Sequence, residues 1–299
     1  MRPADIPPTE LPNPRSARLD ALSPRDAAAL LIGEEAEAAA ALRDRAGAAA
    51  EIAVWAAGSI GRGGRLIYVG AGTSGRLGVL DAVECVPTFR TDPREVVGII
   101  AGGPAALTRA IEGAEDNEED GRAQVRAIDV DARDTVVGIA ACGKTPFVLA
   151  ALREAKARGA RTALVTAGAP PPDESLDALV LLPSGPEVLT GSTRLKAGTA
   201  TKIVLNAIST TAMICLGKVY RNLMVDLRPT NSKLRARAVR LVGDLAGADA
   251  GAARAALEAS QWRVKVAVVA LRKGMAAGNA ARLLAEHGGF LGKALGEVP

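Results

Sequence analysis

Leu66-Ile67-Tyr68-Val69-Gly70-Ala71-Gly72-Thr73-Ser74-Gly75 sets four apolar residues ahead of a glycine-rich turn. An unbroken apolar run of that length, bounded by glycine, reads as a strand covered on both faces. The string behind it fits G-x-G-x-x-G between a strand and a helix, where main-chain N–H groups at a helix start face an anion. Outward from it, short apolar runs return at 96–100, 135–140, 162–165 and 178–182, separated mostly by helical segments. That alternation predicts an α/β fold, an open parallel sheet flanked by helices.

The ends of the chain read differently. Pro3, Pro7, Pro8, Pro12 and Pro14 predict an extended arm rather than a packed element. Ser23-Pro24 is an N-cap followed by proline at the first helical position, opening Ala-rich helices to about residue 60. Gly103-Pro104 and Thr145-Pro146 mark further helix starts, and Pro170–Pro172 a loop between the last two strands. After Thr193 no further strand is expected, only a helical pattern over 195–219 and more helices from Ser232 onward. The predicted organisation is 1–54 for arm and N-terminal helices, 55–225 for the α/β domain and 226–299 for a C-terminal helical subdomain.

Composition narrows the function. With 299 residues, 48% apolar and 23% charged, the chain is a folded globular protein and not a disordered or fibrous one. Its net charge of +4 comes without a block of like charge, and 2% aromatics supply no stacking platforms, which argues against nucleic-acid binding. No 18 apolar residues run together, so no membrane span is expected. The Pro-rich start lacks the apolar core of a signal peptide, and Cys85, Cys142 and Cys215 show no C-x-x-C spacing. A cytoplasmic protein is expected, with Cys85 and Cys215 as small buried apolar residues. A single histidine, His287, leaves acid–base work to carboxylates, Lys, Tyr or Cys and rules out multi-histidine metal sites. Next to Gly288-Gly289, His287 reads as a helix-end residue.

Two loops resemble nucleotide sites, and neither has the necessary partner. The second predicted strand ends Ile99-Ile100-Ala101-Gly102-Gly103, without the acid that a dinucleotide ribose requires. Thr73 and Ser74 at a helix start suit a single phosphate, as on a sugar phosphate; the alternative is that they merely cap the helix. Gly138-Ile139-Ala140-Ala141-Cys142-Gly143-Lys144-Thr145 matches G-x-x-x-x-G-K-T, but no predicted strand ends in a Walker-B aspartate, and Pro146 removes one N–H. This second loop reads as another phosphate loop. Two acidic stretches, Asp81 to Cys85 and Glu112 to Asp116, are each expected at the end of a helix, where carboxylates are either solvated or catalytic.

The segments 70–78, 84–89, 100–103, 112–116 and 189–200, with Asn222-Leu223-Met224-Val225-Asp226 and His287-Gly288-Gly289-Phe290, resemble the N-acetylmuramic acid 6-phosphate etherases of the sugar isomerase (SIS) superfamily. The resemblance runs over nearly the whole chain. It implies a SIS-type, flavodoxin-like sheet and a cytoplasmic homodimeric lyase that needs no metal or organic cofactor. Such a lyase releases D-lactate from N-acetylmuramic acid 6-phosphate and leaves N-acetylglucosamine 6-phosphate, in cell-wall recycling. It also implies Glu84 as proton donor and Glu115 as the second catalytic carboxylate. The substrate-binding residues expected are Gly72, Thr73, Ser74, Cys142, Gly143, Lys144, Thr145, Arg194 and Lys196, the last two equally readable as a basic helix start on the surface.

The chemistry suits this inventory. In the ring-opened sugar the aldehyde acidifies the proton on carbon 2; its removal expels lactate from carbon 3, and water adds back. Two carboxylates with divergent pKa values can share those proton transfers. Where the family's second loop usually reads Ala-Ser-Gly-Arg-Thr-Pro, this chain has Cys142 and Lys144, a weaker donor and a point charge. Two further readings share the fold. One is a non-catalytic sugar-phosphate sensor, which has no need of paired proton carriers; the other is an aldose–ketose isomerase, which releases no lactate.

Overall fold

The computed structural model describes residues 6–297 except 228 and 230, so Pro3 of the predicted arm lies outside the described residues. The chain divides into two compact units, one of Met1–Ala82 with Arg94–Ser209, the other of Val83–Pro93 with Thr210–Pro299. No helix among the described residues is long and apolar enough to cross a membrane.

The first unit is built on five parallel strands, β1 (Leu66–Gly70), β2 (Val96–Ile100), β3 (Thr135–Ile139), β4 (Arg161–Thr166) and β5 (Ala178–Leu181), in the order β2-β1-β3-β4-β5. All five strands stand where the apolar runs predicted them, within a residue or so at each end. β1, β3 and all of β4 after Arg161 are buried along their length, which is why their sequences carry no alternation. Ile67, Val69, Val136 and Leu164 are wholly inaccessible and pack with Val125, Phe147, Val148 and Leu152. Each such side chain stabilises the fold by about 1.5–3 kcal/mol.

Ahead of the sheet come α1 (Pro24–Ala40), a 3-10 segment (Ala41–Arg45) and α2 (Ala46–Gly61). Ser23 caps α1 as predicted, its Oγ accepting from the Asp26 N–H. Between the strands run α3 (Gly72–Phe89), α4 (Glu118–Ala127) and α5 (Pro146–Ala157), and α6 (Lys196–Cys215) follows β5. Helices α3 and α6 each begin in the first unit and end in the second. No helix connects β4 to β5, although the strands are parallel. Instead α2 lies against β1, β3 and β5. It is held there by Trp55, whose ring centroid lies 4.8 Å from the Arg161 guanidinium. Just ahead of α2, Arg45 Nε donates to the Leu181 carbonyl at 2.8 Å.

Three expectations about the course of the backbone are corrected. The Pro-rich arm is packed, not extended: its prolines seed 3-10 turns at Pro8–Glu10 and Pro14–Ser16, and Thr9 and Asn13 are buried. Ser16 Oγ donates to the Val188 carbonyl, and the Gly191 N–H to that of Thr9. The stretch 112–116 does not end a helix. After the 3-10 turn Pro104–Leu107 the chain loops to a second turn, Ala114–Asp116, because Gly113 takes a left-handed φ of 71° and Asn117 caps α4 just beyond. Strands also do not stop at Thr193.

That last correction lies in the second unit, where β6 (Val219–Tyr220) and β7 (Leu223–Met224) form a small antiparallel hairpin around Arg221 at φ 55°. Helices α7 (Ser232–Ala246), α8 (Ala250–Ala259), α9 (Val264–Lys273), α10 (Ala277–Glu286) and α11 (Leu291–Leu295) then pack around Val225, Leu227, Val242, Leu257 and Val266–Val269. Buried Lys265 pairs with Asp226 at 2.6 Å and donates to the carbonyls of Gly217 and Gly289 at 3.1 and 3.0 Å. Burial pushes its ammonium pKa down from the ordinary lysine value, against the pull of Asp226. His287 is exposed at the C-cap of α10, beside the left-handed Gly288 and Gly289. Cys85 is buried as expected, whereas Cys215, the last residue of α6, is exposed.

Candidate functional site

In this strand order β1 and β3 are neighbours whose connections leave in opposite directions, so a crevice opens at their C-terminal ends. Gly70 pairs in register with Ile100 on one side and Ile139 on the other, which sets both predicted phosphate loops at that crevice. In the first loop the helix approaches the strand so closely that side chains are excluded. A Cβ on Gly75 would lie 2.6 Å from Ile100 Cγ1 and 2.7 Å from the Gly70 carbonyl oxygen. Thr73 and Ser74 therefore sit in the first turn of α3, partly exposed, where free N–H groups and the helix dipole favour an anion. A Cβ on Gly198 of α6 would stand 3.7 Å from Thr73 Cγ2, so the start of α6 adjoins this loop.

The second loop is braced from behind. Gly143 has φ 77°, and a Cβ there would meet the Gly168 carbonyl oxygen at 2.6 Å, so the loop lies directly on the chain leaving β4. Cys142 Sγ is 3.7 Å from Thr145 Oγ1, Thr145 is buried, and Lys144 is exposed.

Beside the first loop opens a cavity of about 310 Å³. It is lined by Gly72 and Arg76 of α3, by Ala101 and Ala106, and by Glu112 and Glu115 of the loop that follows. That loop is held by contacts that sequence does not announce. Ile111 and Ala114 pack over Gly102, whose φ of 80° leaves no room for a side chain, and the Ala114–Asp116 turn rests on α5. Arg76 Nε and Nη2 donate to the carbonyls of Leu107 and Arg109 at 3.3 and 2.9 Å, tying this loop back to α3.

Of the expected site residues, the cavity brings together Gly72 and Glu115. Glu84 is exposed on α3, twelve residues after Gly72, a rise of about 18 Å along a helix. Arg194 is exposed, but Lys196 is buried, and its Nζ lies 2.9 Å from Glu34 Oε2. Glu34 also accepts from Asn13 Nδ2 at 2.9 Å and pairs with Arg15 Nε at 2.5 Å. Burial pushes the Glu34 carboxyl upward, yet hydrogen bonds from Lys196 and Asn13 and the charges of Lys196 and Arg15 outweigh it and leave the pKa below the ordinary value. Next to it, inaccessible Glu187 accepts from the N–H groups of Lys196 and Ala197, both at 2.9 Å, and so caps α6; burial raises its pKa.

Arg76 and Glu112 were within reach of the sequence, one directly after the glycine string and the other three residues before Glu115. The Glu34–Lys196 pair spans 162 residues and had no local signal. Among the described residues no group of three or more His, Cys, Asp or Glu is arranged to hold a metal ion.

Comparison with known proteins adds to this geometry. Residues 50–156 match the family described as the glucokinase regulatory protein N-terminal SIS domain. The chain is 48% identical to the N-acetylmuramic acid 6-phosphate etherase of Streptomyces avermitilis, over 97% of this chain and 94% of that protein. It is 51% identical to the protein of the same name from Gloeobacter violaceus, over 96% and 94% of the two chains. Among solved structures, a phosphoheptose isomerase from Francisella tularensis superposes with a TM-score of 0.46 at 18% identity, covering 64% of this chain and 96% of that one.

Proposed function

The chain belongs to the N-acetylmuramic acid 6-phosphate etherase family and acts as a lyase of cell-wall amino-sugar recycling; we propose that Glu115 and Glu84 carry its proton transfers, in a cavity completed by a second copy of the chain. The observation that carries this reading is the juxtaposition, around one cavity, of the α3 start and Glu115. A phosphate held by Thr73, Ser74 and the 142–145 loop would leave the sugar lying across the cavity. Glu115 then removes the proton on carbon 2 of the ring-opened sugar. The electron pair expels lactate from carbon 3, and the second carboxyl group protonates the departing oxygen. Water adds across the resulting double bond to give N-acetylglucosamine 6-phosphate and D-lactate. Arg194, exposed next to the α6 start, is assigned to the substrate; Lys196 acts through the backbone it fixes.

A homodimer supplies the second carboxyl group. Leu80 and Val83 on α3 are 50% and 59% exposed, and with Glu84 and Pro87 they form one stripe; Ile203 and Ile214 on α6 are exposed as well. Apolar stripes of this kind favour burial against a partner. A two-fold axis crossing α3 sets the two copies of that helix antiparallel, which carries Glu84 of the partner subunit toward the cavity and away from its own Gly72. The reading places the enzyme in the cytoplasm.

Subunit mixing tests the arrangement. Glu84→Gln and Glu115→Gln should each abolish lactate release while retaining N-acetylglucosamine 6-phosphate binding. Mixed at equal concentration and allowed to exchange, the two inactive variants should regain about a quarter of wild-type activity, since half the dimers carry one intact site. Wild-type turnover by either variant removes that residue from the mechanism. No recovery on mixing, with exchange verified, places both groups in one subunit.

A further inference from the structure

The cavity beside α3 is lined by three charged side chains, Arg76, Glu112 and Glu115. Arg76 is the cation among them, and both hydrogen bonds of its guanidinium end on neutral main-chain carbonyls. Those bonds orient the group without cancelling its charge. They use two of the five N–H donors of an arginine and leave three. The substrate under the reading above, on which this inference rests, carries two anions at opposite ends. Its phosphate has receivers in the two glycine loops. The carboxylate of its lactyl group sits beside the ether bond and must enter a cavity that already holds two glutamates. Like charges at that range oppose entry unless a cation offsets them.

We propose that Arg76 binds the lactyl carboxylate and so selects for sugar phosphates bearing an acidic ether substituent. The planar fork suits a carboxylate, and its anchoring to Leu107 and Arg109 couples recognition of the leaving group to the loop that presents Glu115. A sugar phosphate without this substituent gains nothing from Arg76.

The decisive comparison uses two substrates, N-acetylmuramic acid 6-phosphate and its lactyl carboxamide, which keeps the ether and the phosphate but loses the charge. Wild-type kcat/KM should favour the acid by roughly 10- to 100-fold, the worth of a hydrogen bond to a charged group. In Arg76→Met that preference should fall to within about threefold, while inhibition by N-acetylglucosamine 6-phosphate, which lacks the lactyl group, stays near the wild-type value. Arg76→Lys should keep part of the preference. Equal wild-type rates on acid and amide refute the proposal without any variant, which covers the case in which Arg76→Met does not fold. A variant that loses activity on both substrates alike and keeps the ratio shows Arg76 to be a loop clamp only. Failure of the underlying reading looks different: Glu115→Gln would then turn over at the wild-type rate, whatever the substrate ratio.

Discussion

Replacing Lys196 with Met should destabilise the first unit before it affects chemistry. The Lys196 side chain is 7% exposed and that of its partner Glu34 1%, so truncation leaves a carboxylate in a nearly dry site. Breaking a fully buried pair costs about 3–5 kcal/mol. Here Glu34 keeps Asn13 and Arg15, so the loss moves toward that of one charge-assisted hydrogen bond, about 1.5–3 kcal/mol. Arg15 is 53% exposed and compensates weakly. A net loss near 3 kcal/mol follows, or a fall of about 1–2 M in the urea midpoint. The two tryptophans fall one in each unit, so Trp262→Phe leaves Trp55 to report the first unit alone. Adding Glu34→Gln to Lys196→Met should cost less than the two single changes summed, because the stranded charge is gone. An unchanged midpoint with a raised KM would refute the reasoning and make Lys196 a substrate contact. Arg194→Ala is the counterpart, with an unaltered midpoint and weaker substrate binding.

Acid should expose the same pair. The folded pKa of Glu34 is depressed, so its contribution is present above the unfolded value near 4.3 and is lost as pH falls through the folded one; Lys196→Met should flatten the stability profile there, measured by urea titrations from pH 6 downward. Gly75→Ala drives a Cβ into Ile100 and the Gly70 carbonyl and should cost about 1–3 kcal/mol together with most of the phosphate affinity, read by calorimetry with N-acetylglucosamine 6-phosphate. Cys142→Ser restores a hydroxyl donor and should tighten binding of the same ligand by about 2- to 10-fold; unchanged affinity would take residue 142 out of the phosphate site.

The central strands β1, β3 and β4 were legible because burial on both faces makes each an unbroken apolar run; β5 carries a similar run although Leu179 and Leu181 are exposed. The glycine loops were legible because close approach of backbone to backbone admits no other residue. Thr145-Pro146 and Ser23-Pro24 marked their helices for equally local reasons. What stayed hidden depends on partners far along the chain. The prolines of the arm gave no sign that Thr9, Asn13 and Ser16 would dock on 186–191. Glu112 to Asp116 looked like a helix end, because only the left-handed Gly113 and the packing of Ile111 on Gly102 turn that segment into a cavity wall. Lys196 looked like a surface cation until Glu34 came to meet it. The β6–β7 hairpin, two residues per strand, is too short to give a periodic signal.

The missing crossover between β4 and β5 has a consequence for biosynthesis. The helix that shields β5, α2, leaves the ribosome long before that strand exists, and a nascent chain must keep its apolar side chains out of trouble until the sheet is finished. N-terminal trimming carries the matching hazard, since removal of α2 would bare a row of aliphatic strands to other molecules. Fusion tags or deletions at the front of this enzyme should be judged by aggregation first and by turnover second.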